Sequence, residues 1–259
     1  MLTLNQIKNI YTGSIPDNKH TLNILTEYIQ CELLDSIFKN TKSNLLSFMG
    51  GTSIRIVYES GRFSEDLDFD NFGLSFDEFK ILLDEVATDM KIKGFDIEYR
   101  FVEKGAYHCH VKFPKILQDN NLTSHKDEKI LIRVDTMQKE KFVEPKVFTL
   151  NKFDLYRPIL VNTPEVLISQ KLIAIKDRKR EKGRDFFDVS FLYGITTPNF
   201  DFIEKTTGMD KLKFSKHILK RSEELDFNKL AKDVEPFLLK PEQSIRVSGF
   251  LKFIKQKLQ

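Results

Sequence analysis

Phe48-Met49-Gly50-Gly51-Thr52-Ser53, followed nine residues later by Arg62-Phe63-Ser64-Glu65-Asp66-Leu67-Asp68-Phe69, is the stretch on which the reading of this chain turns. Leu45 to Met49 is a short apolar run that predicts a buried strand. It ends in two glycines, which let the backbone approach a ligand closely because no Cβ intervenes. A short helix is expected over Thr52 to Tyr58. Its free N–H groups and positive dipole end would point at an anion, with Thr52 and Ser53 adding hydroxyl donors, and that predicts a phosphate seat. A polar loop, Glu59 to Ser64, leads into a second predicted strand over Leu67 to Asp70. Asp66 and Asp68, two residues apart, are expected on one face of it. Neighbouring carboxylates repel unless a cation lies between them, and such hard oxygen ligands suit Mg²⁺ or Mn²⁺. A phosphate seat beside paired carboxylates is what phosphoryl or nucleotidyl transfer requires. Taken separately, an ordinary turn and a solvated edge strand account for the two halves; their order along the chain favours chemistry.

On the N-terminal side, Leu22, Leu25, Ile29, Leu33, Ile37 and Phe38 recur at helical spacing and predict a helix over Thr21 to Asn40. On the C-terminal side, Ser75 with Glu78 three residues on is a capping box, opening a helix that Gly94 ends. Strands are expected at Phe95 to Val102, Ala106 to Phe113 and Lys129 to Gln138, with a polar loop from Gln118 to Asp127. Beyond Thr163 the patterns turn helical: Pro164 to Lys176, Arg184 to Leu192, Phe200 to Thr206, Lys211 to Glu223, Asn228 to Leu238 and Glu242 to Lys257. The expected architecture is an α/β (α+β) N-terminal lobe with a mixed sheet, residues 1–155, and an all-helical C-terminal lobe, residues 156–259. Lys152 to Asn162, with Pro158 inside it, reads as the seam.

Composition narrows the functional classes. The 259 residues are 41% hydrophobic and 31% charged, neither disordered nor fibrous, and the net charge of +3 imposes no global basic field. Met1 to Ser14 shows no secretory leader, and no run of about 18 apolar residues predicts a membrane span. Cys31 and Cys109 lie far apart and read as reduced thiols of a cytoplasmic protein.

The segment Gly50-Gly51-Thr52 … Arg62-Phe63-Ser64-Glu65-Asp66-Leu67-Asp68-Phe69 resembles the first signature of the AbiEii/AbiGii toxin family, within the polymerase-β-like nucleotidyltransferase superfamily. Ser169-Gln170-Lys171-Leu172-Ile173-Ala174 and Arg184-Asp185-Phe186-Phe187-Asp188 are similar to that family's downstream lysine and Arg-Asp-x-x-Asp motifs. The resemblance implies a toxin of a bacterial toxin–antitoxin pair, acting in abortive infection against phage and transferring NMP from an NTP to an acceptor hydroxyl. By analogy tRNA leads as acceptor, and a separate chain would be the antitoxin. It implies that Gly51, Thr52 and Ser53 hold the triphosphate, that Asp66 and Asp68 bind metal, and that Lys171 contacts phosphates. Asp185 or Asp188 would complete the site from the helical lobe. This chain has Gly-Gly-Thr-Ser where many superfamily members have Gly-Ser, so the hydroxyl that replaces the usual serine stays open.

Other candidates complete the expected set. A third carboxylate usual in the superfamily falls best on Asp135, as metal ligand or base, with Glu98 the competitor. Arg184 and Asp188, at i and i+4, could simply pair with each other. The basic run Lys176 to Arg184 reads equally as a steering patch for polyanions or as a solvated loop. The nucleotide-contacting set is then Gly50, Gly51, Thr52, Ser53, Arg62, Ser64, Lys171, Lys176 and Arg178. His108 and His110 share a strand face without a third ligand at metal spacing, and read as surface or core residues. Two alternatives stand beside this reading: a nucleotide-binding regulator without turnover, and a transferase acting on a small hydroxyl acceptor such as an antibiotic.

Overall fold

The computed structural model describes residues 1–11, 20–125 and 127–258; residues 12–14 of the stretch read for a leader, and Lys126 of the polar loop, lie outside these. Among the described residues seven strands form one sheet: β1 (Leu46–Met49), β2 (Leu67–Asn71), β3 (Glu98–Glu103), β4 (Tyr107–Phe113), β5 (Ile130–Gln138), β6 (Lys146–Lys152) and β7 (Leu155–Val161). Their order is β3-β4-β5-β2-β1-β7-β6. The pairs β2/β5 and β1/β7 are parallel and the other four antiparallel, so the sheet is mixed. The helices are α1 (Leu4–Ile10), α2 (Thr21–Lys39), α3 (Gly50–Tyr58), α4 (Phe76–Ile92), α5 (Ile116–Asp119), α6 (Pro164–Asp177), α7 (Gly183–Leu192), α8 (Phe200–Thr207), α9 (Lys211–Glu223), α10 (Phe227–Val234), α11 (Ile245–Ser248) and α12 (Phe250–Leu258).

The chain divides into two units. The sheet unit comprises 1–53, 63–141 and 145–161; the helical unit takes 162–259 together with 54–62 and 142–144. The helical unit is therefore discontinuous in sequence, and Arg62 belongs to it while Phe63 does not.

In the sheet unit the helical stripe expected of α2 is wider than its spacing implies. Tyr28, Ile29, Leu33, Leu34 and Ile37 are buried, but so are Glu27, Glu32 and Asp35. Those acids survive burial because each has a cation: Lys152 for Glu27, Lys93 for Glu32 at 2.8 Å, and both Lys93 and Arg157 for Asp35 at 2.8 Å. Ser75 caps α4 as its capping box predicts, with Glu78 reaching back to the Ser75 N–H at 3.0 Å.

The stretch read as a seam, Lys152 to Asn162, contains the strand β7, and the chain passes from the sheet unit to the helical unit at its end, between Val161 and Asn162. β7 forms a hairpin with β6, from Lys146↔Val161 to Lys152↔Leu155. Pro158 is tolerated because β7 meets β1 at its far end, Phe48↔Val161, so on that flank there is no ladder hydrogen bond at Pro158 to lose. In the helical unit, the helix expected over Glu242 to Lys257 is broken into a 3₁₀ turn (Pro241–Ser244), α11 and α12, with Gly249 as the break. At its core Phe186 of α7 packs edge to face on Phe227 of α10 and Phe250 of α12, with ring centroids 5.2 and 5.0 Å away.

Candidate active site

The decisive stretch folds with no loop between its strand and its helix. β1 ends at Met49 and α3 begins at Gly50, two residues earlier than the expected Thr52. Gly50 makes the reversal in one residue, at φ +78°, where a side chain would be strained. A Cβ there would also lie 2.4 Å from Asp68 Oδ2, so glycine is needed twice over. Met49 and Asp68 are register partners, which puts the start of α3 against the Asp68 carboxylate.

Asp66 immediately precedes β2 rather than lying within it, and Asp68 is its second residue. Across the parallel pair, Leu67 faces Val134 and Asp68 faces Asp135. Leu67 and Val134 are fully buried on one face; Asp66, Arg133, Asp68 and Asp135 alternate onto the other. Arg133 grips Asp66 with Nε at 3.1 Å and with Nη2, and its Nη1 stands 4.0 Å from Asp135. These hydrogen bonds to Asp66 hold the guanidinium pKa above its ordinary value, outweighing its partial burial. His108, the register partner of Asp135 on β4, places Nδ1 2.9 Å from Asp135 Oδ1.

Thr52 and Ser53 are both buried. The Thr52 hydroxyl donates to the Asp66 carbonyl and so ties the helix start to the acid strand. The Ser53 hydroxyl has no hydrogen-bond partner among the described residues. Ser64 offers its carbonyl to Gln30 Nε2 at 3.0 Å.

A second set assembles within the helical unit. Arg62 and Asp188 are buried, and Arg62 Nε and Nη2 donate to the two Asp188 oxygens at 2.6 and 2.5 Å. Lys171 Nζ lies 2.8 Å from Asp188 Oδ2 and 3.1 Å from Asp185 Oδ1. Arg178 Nε is 2.8 Å from Asp185 Oδ2. Burial pushes the Asp188 carboxyl up, but Arg62 and Lys171 outweigh it and hold its pKa below the usual range. Burial likewise pushes Lys171 down, and Asp188 and Asp185 hold it above the ordinary lysine value. Asp188 thus takes Arg62 and Lys171 as its cations, while Lys176 pairs with its neighbour Asp177. In the basic run Lys179 and Arg180 are exposed, and Arg221 of α9 binds Glu181 at 3.0 Å. Glu98, the rival third carboxylate, sits on β3 paired with Lys129 at 2.9 Å.

The carboxylate face has the hard-oxygen chemistry a divalent cation takes, and Asp68 and Asp135 are adjacent on it. Asp66 is turned to Arg133, however, and among the described residues no group of three or more His, Cys, Asp or Glu side chains is arranged to hold a metal ion. The residues fit a cation at two of three positions. His108 and Arg133 are the partners of this face that sequence reading missed. Their signal was present only as strand alternation, since His108 and Arg133 reach the acid face solely through a register set across strands.

Comparison with known proteins decides the family. The sequence profile described as the nucleotidyl transferase AbiEii toxin of type IV toxin–antitoxin systems matches residues 32–247. The chain belongs to the AbiEii family. AbiEii proteins are nucleotidyltransferases and toxins, which implies an NTP substrate and an antitoxin partner, and nucleotidyltransferases typically work with a divalent metal. Similar folds include MenT4, a nucleotidyltransferase toxin from Mycobacterium tuberculosis, at TM-score 0.63 and 14% identity over 100% of this chain and 93% of that one. JHP933 from Helicobacter pylori matches at TM-score 0.56 and 20% identity, over 92% of this chain and 93% of that one. No curated protein gives a significant match. Among the described residues no helix is long and apolar enough to cross a membrane.

Proposed function

We propose that this AbiEii protein transfers NMP from an NTP to a hydroxyl of tRNA, in the cytoplasm, as a toxin restrained by a separate antitoxin chain and serving in phage defence. The observation that carries the reading is the face on which Asp68 and Asp135 stand side by side, with the start of α3 pressed against Asp68 through Gly50. Asp68 and Asp135, joined by Asp66, would hold Mg²⁺ or Mn²⁺, which supplies charge neutralisation of the triphosphate. The first turn of α3 directs backbone N–H groups at the phosphates. Asp135, oriented by His108, takes the proton of the attacking hydroxyl. The new bond forms from that oxygen to the α-phosphorus while the bond to the β-phosphate oxygen breaks, releasing pyrophosphate. Lys171 contributes positive charge toward the phosphates, within a frame set by Asp185 and Asp188.

The grip of Arg133 on Asp66 favours a second reading, a nucleotide-binding regulator that does not turn over. One experiment separates the two. Purified protein is incubated with each α-³²P-labelled NTP, Mg²⁺ or Mn²⁺, and total bacterial RNA, with Asp68→Asn as control. Label in a tRNA-sized band from the wild type alone supports transfer to tRNA. Label on a small hydroxyl acceptor would move the reading to a small-molecule transferase. Nucleotide binding without transfer to any acceptor would overturn the enzyme and leave the regulator.

A further inference from the structure

Charge is divided unequally along the chain. Residues 1–161 hold 21 Lys and Arg against 24 Asp and Glu, whereas residues 162–259 hold 20 against 14. The overall charge of +3 therefore conceals a basic C-terminal part, which makes up most of the helical unit. Within it the excess gathers on α9. Phe214, Ser215, Ile218 and Ser222 turn one side of this helix into the interior, while Lys213, Lys216 and Lys220 line the other at i, i+3 and i+7, all three exposed. At 1.5 Å per residue that stripe runs about 10 Å.

The sequence holds no acid between Asp210 and Glu223. Asp210 caps α9 and pairs with Lys213 at 3.5 Å, and Glu223 is taken by Lys255 of α12 at 2.6 Å. Among the described residues Lys216 and Lys220 have no acid partner. Helix stability does not account for this pattern. Like charges at i, i+4 are destabilising, and lysines in a first turn, here Lys211 and Lys213, oppose the positive end of the helix dipole. The basic run between α6 and α7 joins the same surface. Arg221, in the last turn of α9, donates to the Arg178 carbonyl and binds Glu181 at 3.0 Å. That ties the run to the end of the stripe and leaves Lys179 and Arg180 exposed.

We infer that α9 and the basic run form a surface that holds the phosphate backbone of RNA. This rests on the proposed acceptor, tRNA. A row of cations without an intervening acid suits a chain of phosphates, which binds by releasing its condensed counterions. A membrane fits less well, since an interfacial helix needs a free apolar face and that of α9 is buried at Phe214 and Ile218. An acidic protein also fits less well, because the core of such an interface is apolar and Leu212 is the one large apolar side chain that α9 exposes. Contacts to phosphate position RNA without reading its sequence.

The probe is fluorescein-labelled bacterial tRNA, titrated with the full-length protein and followed by anisotropy between about 50 and 200 mM NaCl. Lys216→Gln/Lys220→Gln removes two phosphate contacts, so the wild type should lose roughly tenfold more affinity than this variant across that range. Lys179→Gln/Arg180→Gln should behave alike. Lys104→Gln/Lys146→Gln, at two exposed lysines of the sheet unit, should keep the wild-type salt dependence. All six side chains are exposed, so each variant should match the wild type in circular dichroism. The surface is overturned if the α9 variant keeps the wild-type salt dependence, if the sheet-unit pair changes it as much, or if the wild type does not bind tRNA. Loss of binding to phosphatidylserine vesicles with tRNA binding unchanged would assign the face to a membrane and overturn it too. Binding and transfer are read separately. tRNA held through this face without label transfer would keep the surface and remove tRNA as the acceptor. Transfer to tRNA with an unchanged salt dependence in the variants would keep the acceptor and remove the surface.

Discussion

Two arginine–aspartate forks can be compared directly. Arg133 holds Asp66 in the sheet unit and Arg62 holds Asp188 in the helical unit, each through Nε and Nη2. Their chemistry is the same and their surroundings are opposite: Arg133 and Asp66 are 44% and 16% exposed, whereas Arg62 and Asp188 are almost wholly buried. An exposed ion pair is worth about 0–1 kcal/mol, because water solvates either partner once they part. Separating a buried pair leaves an uncompensated charge in low dielectric at a cost of about 3–5 kcal/mol. Asp66 can therefore exchange Arg133 for a cation at small cost, and Asp188 cannot exchange Arg62 for anything. Burial, and not geometry, distinguishes a carboxylate that can serve a ligand from one that serves the frame.

Breaking each fork tests the contrast. Asp188→Ala should lower unfolding free energy by about 3–5 kcal/mol in a urea titration, whereas Asp66→Ala should change it by about 1 kcal/mol or less. Equal effects would end the distinction. The same carboxylate has a pH signature. Because its folded pKa is depressed, Asp188 stabilises the protein fully above the unfolded value of about 3.9, and that contribution is lost as pH falls below it. Acid titration followed by circular dichroism should show a shallower loss of stability below about pH 4 in an Asp188→Asn background than in the wild type.

The sheet face should answer chiefly in turnover. Asp68→Asn is expected to lose more than the roughly 100-fold typical of removing an outer partner of a metal site, with little change in melting temperature. Retained turnover in a single-round transfer assay would remove Asp68 from the site. Gly50→Ala sharpens the picture, since its Cβ would displace the Asp68 carboxylate and its φ of +78° is strained for alanine. A loss of about 1–3 kcal/mol together with reduced turnover is expected. The smallest effect belongs to Arg133→Gln: about 1 kcal/mol or less in stability, with tighter Mn²⁺ binding by paramagnetic titration because Asp66 is released. Weaker Mn²⁺ binding would mean that Arg133 supports the carboxylates and does not compete for them.

What could be read from residue order is what depends on near neighbours. The capping box at Ser75 and Glu78, the bounds of α9 and the strand-to-helix reversal at the glycines are all set within a few residues. The mixed sheet and the helical C-terminal region follow from such local signals. β6 and β7 were missed because Pro158 interrupts an already imperfect alternation, and only pairing across the hairpin defines them. The candidate site divides in the same way. Asp66, Asp68 and the glycines stand out in sequence, but His108 finds Asp135 across 27 residues and Arg133 finds Asp66 across 67. Arg62 reads like part of the nucleotide-binding stretch, and nothing in its neighbourhood marks a partner far down the chain.

The separation of Arg62 from Asp188 is 126 residues, and it sets a schedule. At the 5–20 residues per second of protein synthesis, roughly 6–25 s pass between the appearance of the two. For most of that interval the growing chain already carries Asp66 and Asp68, while Lys171 and Asp185 are added only towards its end, shortly before Asp188. A ribosome that stalls before Asp188 leaves behind a polypeptide with the acid strand complete and Arg62 waiting. The buried Arg62–Asp188 fork therefore closes only after the whole acid-bearing sheet has been made.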